Sequence, residues 1–313
     1  MKTFNGIRII GVDTGYGNIK TANSIIPTGI TPYDREPTFA GRILKVDGKW
    51  YGIGTGHKAY RPNKNVDDDF YLLTLAAMAE ELDAFNLTKA DVHLAIGLPL
   101  TWFRIQKEEH YQYMMRKKDL SYQYNDKQYE IHLVGCNVFP QGYAAIVPLI
   151  DQNPSDYSGT VVLVDIGNGT MNTMYLQDCK PDELRCYTEE LGVKQCVSKA
   201  KKALMDRFTM NATENEIQPI LLKQPGTLAE EYTHCVCQTA EQYVTRIFDS
   251  LQEHGYDPRM MRLVITGGGG VLVKNFGKYD PDRVTILDDL RVNARGYEYL
   301  AQGRLWNLQQ TVR

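Results

Sequence analysis

The segment "IIGVDTGYGNIKTANSI" (residues 9–25) decides the fold of this chain. An apolar run ends at Asp13, a turn containing Gly15 and Gly17 follows, and Lys20 stands in the next apolar run. Glycine permits positive φ and leaves no side chain between backbone N–H groups and a ligand, and successive amides in such a turn form an anion-binding concavity. A carboxylate beside an anion site indicates a divalent cation between them, since Mg²⁺ keeps several waters and takes only one or two carboxylates. The segment predicts a strand, a phosphate-binding turn and a second strand.

Other interpretations of this turn differ in how well they fit. A dinucleotide-binding G-x-G-x-x-G would need glycine at position 20, which is lysine, and a helix where a strand is expected. The chain contains no G-x-x-x-x-G-K-[ST] phosphate loop. An ordinary hairpin turn stays open for this segment taken alone, because short motifs often occur by chance.

A second copy of the pattern favours the phosphate-binding interpretation. "VDIGNGT" (164–170) again places an aspartate, Asp165, after an apolar strand and before a glycine turn. A third element, "ITGGGG" (265–270), puts four glycines between a buried strand and a predicted helix. Such a run lets a flat ring or a sugar approach the backbone closely, beside a helix N-terminus.

Composition limits the classes of function. The net charge of −3 provides no basic field for direct nucleic-acid binding. No cysteines are paired in C-x-x-C spacing, so a zinc site or a disulfide framework is not expected. No apolar run approaches the roughly 20 residues of a membrane span, and no leader pattern opens the sequence. We expect a reduced, cytoplasmic protein. The six cysteines are Cys136, Cys179, Cys186, Cys196, Cys235 and Cys237.

The pattern of elements restarts after a polar stretch, "DQNPSDYSG" (151–159), so each half begins with strand, Asp-x-Gly-x-Gly turn and strand. Proline at position 148 is expected to end or kink a short helix there. The elements predicted in the first half are strands at about 7–12, 18–26, 38–46 and 92–99, a helix around 72–82, a helix at 104–117 and a hairpin at 120–134. Those predicted in the second half are a strand at about 184–190, helices at 193–208, 213–222 and 227–254, and a strand at 262–266.

Five motifs, in order, resemble the nucleotide-site motifs of the actin/hexokinase/Hsp70 superfamily: phosphate 1, connect 1, phosphate 2, adenosine and connect 2. They are "GVDTGYGNIK", "GCNVFPQGYAAI", "LVDIGNGTMNT", "VITGGGG" and "VNARGYEYLA". The chain is most similar to bacterial actin-like proteins of the ParM/StbA plasmid-segregation type. The resemblance implies an α/β, actin-like fold of two lobes, each with a ribonuclease-H-like core, and a nucleotide in the cleft between them.

By this resemblance, lobe I covers 1–154 and lobe II covers 155–313. The predicted cores are 1–30 with 88–154, and 155–180 with 256–313. The predicted outer subdomains are 31–87 and 181–255.

The resemblance also assigns site residues. Asp13 and Asp165 would hold Mg²⁺, Asp165 would also position the attacking water, and Gln141 would act as the base or orient that water. Gln141 departs from the glutamate common in the ParM branch, which leaves those two roles open. The nucleotide, ATP or alternatively GTP, would be bound by Asp13, Thr14, Gly15, Tyr16, Gly17, Asn18, Lys20, Gly167, Asn168, Gly169, Thr170, Gly267, Gly268, Gly269 and Gly270.

The implied function is a filament-forming ATPase that segregates plasmid DNA through a DNA-bound adaptor protein, without direct contact with nucleic acid or membrane. Two alternatives stay open. A small-molecule kinase of the same superfamily would need a carboxylate aimed at a substrate hydroxyl, and "AIGLPLTWF" (95–103) ends without one. A non-polymerising nucleotide-binding scaffold would not need both Asp13 and Asp165.

Overall fold

The computed structural model describes residues 1–38, 41–55, 65 and 67–311. Residues 39–40 of the predicted third strand, and 56–64 and 66 of the predicted outer subdomain, lie outside this described part. The chain forms two compact units: Met1–Gln152 together with the segment from Arg291 onward, and Asn153–Leu290.

The described residues contain strands and helices in the following order. The strands are β1 (Lys2–Phe4), β2 (Ile7–Thr14), β3 (Asn18–Lys20), β4 (Ile25–Pro27), β5 (Ile30–Tyr33), β6 (Ile43–Val46), β7 (Lys49–Ile53), β8 (Lys89–Leu98), β9 (Asp119–Tyr124), β10 (Lys127–Pro140), β11 (Thr160–Ile166), β12 (Met171–Gln177), β13 (Lys180–Glu189), β14 (Arg262–Thr266) and β15 (Val284–Ile286). The helices are α1 (Asp69–Asp83), α2 (Leu100–Met114), α3 (Tyr143–Gln152), α4 (Val193–Phe208), α5 (Glu214–Leu221), α6 (Glu230–Glu253), α7 (Gly270–Phe276) and α8 (Val292–Thr311), with a 3₁₀ turn at Pro154–Tyr157.

The first unit is built on one mixed sheet. Its described strands lie in the order β4-β3-β2-β8-β10-β9-β6-β7-β5, with β1 paired to β2. β2 is parallel to β8, and β8 is parallel to β10. The pairs β2–β3 and β3–β4 are antiparallel. The carboxyl ends of β2, β8 and β10 therefore lie at one edge of the sheet. Apolar side chains of the central strands and of α1 form the core.

The second unit repeats this topology with fewer strands. Its order is β13-β12-β11-β14-β15. The pairs β13–β12 and β12–β11 are antiparallel, and the pairs β11–β14 and β14–β15 are parallel. Strands β4-β3-β2-β8-β10 follow the same pattern of directions in the first unit. A separate core joins the sheet to α4, α5 and α6. The internal repeat predicted from the two Asp-Gly turns is thus a repeat of sheet topology.

The C-terminal helix differs from the predicted domain division. Lobe II was expected to extend to residue 313, but α8 packs on the first unit. The reason is steric: α8 fits against β2, β8 and α3 at three glycines. A Cβ on Gly11 would lie 2.0 Å from the Ala294 carbonyl oxygen, and one on Gly97 would lie 2.0 Å from the Tyr297 hydroxyl oxygen. The third glycine, Gly296, lies on α8 itself.

Two local predictions also differ from the structure. The strand expected at 18–26 is two strands, β3 and β4, because Thr21 and Ser24 close a turn in which the Thr21 hydroxyl donates to buried Glu81 (2.6 Å). Of the two alternatives predicted at Pro148, an end of the helix is wrong, since α3 continues to Gln152. The helices predicted around 72–82 and at 193–208 are confirmed as α1 and α4.

None of the helices in the described ranges is long and apolar enough to cross a membrane.

Candidate functional site

A three-residue polar cluster lies at the carboxyl ends of β2 and β10. Asp13 is almost completely buried, and Lys20 Nζ contacts its Oδ2 at 2.9 Å. The two residues face each other across the β2–β3 pair, so their side chains share one face of the sheet. Gln141 Nε2 donates to the other oxygen, Oδ1, at 2.9 Å. The carboxylate therefore has a cationic and an amide partner, with lone pairs left over for further ligands.

The backbone fixes Gln141 in this cluster. Its amide donates to the Leu98 carbonyl at the end of β8 (2.8 Å). The next residue, Gly142, has φ +76° and donates its amide to Asn293 Oδ1 of α8 (2.9 Å). Both flanks of Gln141 are thus attached to regular elements, and its side chain points to Asp13 across 128 positions of sequence.

The first glycine turn is held by a residue that the motifs did not mark. Thr28 donates its hydroxyl to the Gly15 carbonyl (2.6 Å) and its amide to the Gly17 carbonyl (3.0 Å). A Cβ on Gly15 would lie 2.7 Å from the Asn18 carbonyl oxygen, so the turn closes only with glycine there. Tyr16 packs its ring edge-on against Phe70 with centroids 5.4 Å apart. Tyr16 can therefore contribute to a ligand site mainly through its backbone.

The second glycine turn, Gly167–Thr170, is attached to the start of α4 by its carbonyl groups. Val193 and Lys194 donate their amides to the carbonyls of Gly167 (3.1 Å) and Asn168 (2.8 Å). The Gln195 side chain donates to the Gly169 carbonyl at 2.8 Å. The carbonyls of Gly167, Asn168 and Gly169 thus all accept hydrogen bonds from the start of α4.

The amides of the same turn behave differently. The Gly167 amide donates to the Thr170 carbonyl (2.8 Å), which closes the turn. The amides of Asn168, Gly169 and Thr170 donate to no acceptor within the described ranges. Three successive N–H groups without a protein acceptor, in a turn whose carbonyls are held elsewhere, form an anion-binding arrangement.

The four-glycine segment packs against the end of β11. Asp165 is in register with Thr266 on the neighbouring parallel strand. Gly267 has φ +85°, and a Cβ on it would lie 2.4 Å from Asp165 Oδ1. A Cβ on Gly269 would lie 2.1 Å from Ile166 Cγ2. These two glycines are therefore required by close packing at the Asp165 strand end.

Gly268 and Gly270 are less crowded than Gly267 and Gly269. The nearest atom to a Cβ on Gly268 is Leu290 Cδ2, at 4.0 Å. Next to the run, the buried Thr266 hydroxyl has no hydrogen-bond partner among the described residues. The segment thus leaves backbone and one polar group available beside Asp165.

The structure places the predicted residues in two groups, one in each unit. Asp13, Lys20 and Gln141 are in direct contact, and the Asp165 strand end carries the second and third glycine segments. Sequence reasoning missed Thr28, Gln195 and Thr266. Thr266 directly precedes the four glycines, so its position was available as a signal; Thr28 and Gln195 gave none.

The protein side chains could supply only some of the ligands of a magnesium ion. Within the described ranges no three His, Cys, Asp or Glu side chains group together to hold a metal. In the first unit, Asp13 offers one carboxylate with free lone pairs. Such a site suits Mg²⁺, which keeps several waters and binds substrate phosphates.

Comparisons with known proteins show a similarity of sequence in the first unit and a similarity of fold over the whole chain. Residues 11–143 match the family described as "Actin like proteins N terminal domain". No curated protein matches the sequence. Among solved structures, Ta0583, an archaeal actin homolog in complex with ADP, superposes with a TM-score of 0.76 at 19% identity, over 95% of this chain and 100% of that one.

Two further structures extend the comparison. The Alp12 filament structure matches with a TM-score of 0.73 at 19% identity, over 96% of this chain and 100% of that one. Bacillus thuringiensis ParM with AMPPNP matches with a TM-score of 0.69 at 14% identity, over 97% and 100%. The chain therefore has the actin-like fold, and the predicted resemblance to actin-like proteins is confirmed.

Proposed function

We propose that this protein is a nucleotide-dependent, filament-forming actin-like ATPase. The observation that carries the proposal is the second glycine turn, where the amides of Asn168, Gly169 and Thr170 have no acceptor while the adjacent carbonyls are bound. Three such donors suit the oxygens of a phosphate chain. The proteins of similar fold include one with ADP and one with AMPPNP, which supports a nucleotide as the ligand.

The first unit would contribute charge and positioning. Lys20 and the turn from Asp13 to Asn18 would bind phosphate oxygens, and Asp13 and Asp165 would hold Mg²⁺ together with waters. The four glycines, Gly267–Gly270, would contact the ribose and base. ATP is the expected nucleotide, with GTP as the alternative. When bound, the nucleotide supplies a phosphoryl group whose transfer depends chiefly on positioning and electrostatics.

Gln141 would orient the attacking water rather than remove its proton. The side-chain amide of Gln141 is neutral, and its Nε2 already donates to Asp13. The side-chain oxygen, Oε1, is therefore the group left to accept a hydrogen bond from water. Asp165 would share this role from the second unit. These residues would position the water for in-line attack.

Self-association is supported by the similarity to the Alp12 filament structure. The segregation of plasmid DNA through a DNA-bound adaptor follows from the ParM-type resemblance. A net charge of −3 agrees with an indirect contact to DNA, because direct binding usually needs clustered Lys and Arg.

Hydrogen–deuterium exchange with and without Mg²⁺ and ATP tests the nucleotide proposal. We expect nucleotide to slow exchange of the amides at 168–170 and in the turn from Gly15 to Asn18. The control is the exposed hairpin turn at Asn125 and Asp126, between β9 and β10, which has no proposed ligand. Absence of binding at millimolar nucleotide, or protection confined to other segments, would contradict the proposal.

A further inference from the structure

The Gln195 side chain makes two hydrogen bonds in opposite directions. Its Oε1 accepts from the Gly192 amide at 3.1 Å, and its Nε2 donates to the Gly169 carbonyl at 2.8 Å. Gly192 presents only a donor here and Gly169 only an acceptor. An amide satisfies both, whereas a carboxylate would satisfy only the first.

The ordinary role of glutamine at this position explains just one of the two bonds. Gln195 is the third residue of α4, and a Glu or Gln there often accepts from the residue that precedes the helix. Glutamate serves that purpose equally well and also complements the helix dipole. Capping therefore accounts for the contact to Gly192 and leaves the contact to Gly169 unexplained.

The start of α4 is anchored on its other side as well. The buried Tyr243 hydroxyl of α6 donates to the Gly192 carbonyl at 2.8 Å. A Cβ on Gly192 would lie 2.4 Å from the Asn168 carbonyl oxygen, so the helix approaches the turn as closely as a backbone can. A continuous set of contacts thus runs from α6 through the start of α4 to the turn Gly167–Thr170.

We infer that Gln195 is a positioning residue for the phosphate-binding turn: its donor to Gly169 orients the turn so that the amides of 168–170 face the ligand. The inference rests on the proposed nucleotide binding for the identity of that ligand. The coupling between α4 and the turn is inferred from the hydrogen bonds alone and does not depend on nucleotide binding. Loss of the donor should let the turn rotate away from α4, and the ligand would then have to restore its orientation on binding.

The substitution Gln195→Glu separates the two bonds, since it keeps the acceptor for Gly192 and replaces the donor by an oxygen that repels the Gly169 carbonyl. We expect its melting temperature without nucleotide to stay close to that of the parent, because a negative charge in the first turn of α4 complements the helix dipole and offsets the lost hydrogen bond. The amides of Val193 and Lys194, which donate to the turn, should exchange about tenfold faster, the size expected for one lost hydrogen bond. Gln218→Glu, at an exposed position of α5, is the matched control for the added charge.

Nucleotide affinity provides the second measurement. Gln195→Met is neutral and lacks both bonds, so it removes the effect of added negative charge near phosphates. We expect both Gln195 variants to bind ATP about three- to tenfold more weakly than the parent, and only the methionine variant to lose melting temperature. Gln218→Glu should bind as the parent does.

The outcomes separate the inference from the proposed function. Unchanged exchange at Val193 and Lys194 in Gln195→Glu would reduce Gln195 to a helix cap and overturn the inference. Parental ATP affinity in both variants would overturn its link to the ligand. If the parent itself binds no nucleotide, the proposed function fails, while the exchange measurement still decides whether Gln195 positions the turn.

Discussion

Individual residues show how far the sequence predicts a site. Asp13 and Lys20 are seven positions apart and their contact follows from a two-strand turn, so the motif places them together. Gln141 was named from the resemblance, but its hydrogen bond to Asp13 depends on β10 lying two strands from β2. Gln195 and Thr28 are polar residues of ordinary type, and only the folded backbone brings them to the turns.

Glu298 is a buried acid that the motifs did not identify. It lies on α8, accepts from the Gly11 amide (3.2 Å), and its Oε2 lies 3.4 Å from the Met1 ammonium group. Burial is the main cause that raises its pKa from 4.5 to about 7, helped by the charge of Glu81, while the ammonium group and the Gly11 hydrogen bond oppose the shift. The folded state therefore binds this proton more tightly than the unfolded state does.

The raised pKa of Glu298 makes the stability of the protein depend on pH. The contribution of Glu298 to stability is fully present below about pH 4.5 and is lost as pH rises through about 7. A shift of this size corresponds to about 3 kcal/mol. We expect Glu298→Gln to flatten the fall in stability between pH 5 and pH 8, measured by denaturant unfolding at several pH values.

Glu36→Gln is the control for that experiment, because Glu36 is exposed and lies in the same unit. It should leave the pH dependence as in the parent. An equal fall in stability for the parent and Glu298→Gln would mean that Glu298 does not hold its proton in the folded state.

At the scale of elements, periodicity identified most helices and strands. The boundaries of α4 were predicted because apolar positions, a preceding glycine and the residues after Phe208 all agree. The break between β3 and β4 was missed because Glu81, sixty residues away, stabilises the turn at Thr21. Local pattern carries no record of such a distant partner.

The contact between α3 and α8 shows a second limit of local pattern. A Cβ on Gly296 would lie 1.9 Å from the carbonyl oxygen of Ala144. Residue 148, four positions after Ala144, is proline and offers no N–H to that carbonyl. The Gly296 backbone lies against this buried carbonyl, which has no helical N–H partner at position 148, so α8 approaches α3 closely.

Two glycine substitutions within α8 test this packing. Gly296→Ala should destabilise the protein by about 3 kcal/mol or more, since a methyl group would meet backbone that cannot move aside. Gly303→Ala is the matched control on the same helix, because nothing lies within 4 Å of its Cβ position. It should raise stability by up to about 1 kcal/mol through helix propensity.

Thermal and denaturant unfolding of both variants provide the measurement. Equal stability of Gly296→Ala and the parent would show that α8 does not pack on α3 as described. Destabilisation by Gly303→Ala would show that the space beside Gly303 is occupied in the folded protein, and would contradict the packing described for α8.

At the scale of the whole molecule, the repeated Asp-Gly turn predicted two units with related sheets. The expected placement of α8 in the second unit was wrong, because helical periodicity shows that a helix has a buried face but not what covers it. Assembly, nucleotide choice and the adaptor depend on surfaces and ligands outside a single chain, so for these the sequence supplied only a resemblance.

Nucleotide-dependent assembly is the central claim, and sedimentation with light scattering in Mg²⁺ tests it most directly. ATP, GTP, ADP and no nucleotide should be compared, for the parent and for Gln141→Ala. We predict polymer with a triphosphate that decays as phosphate is released, and polymer that persists longer in Gln141→Ala because hydrolysis is slower. If nothing sediments across a wide range of protein concentration while nucleotide still binds, the claim of a nucleotide-dependent filament is wrong.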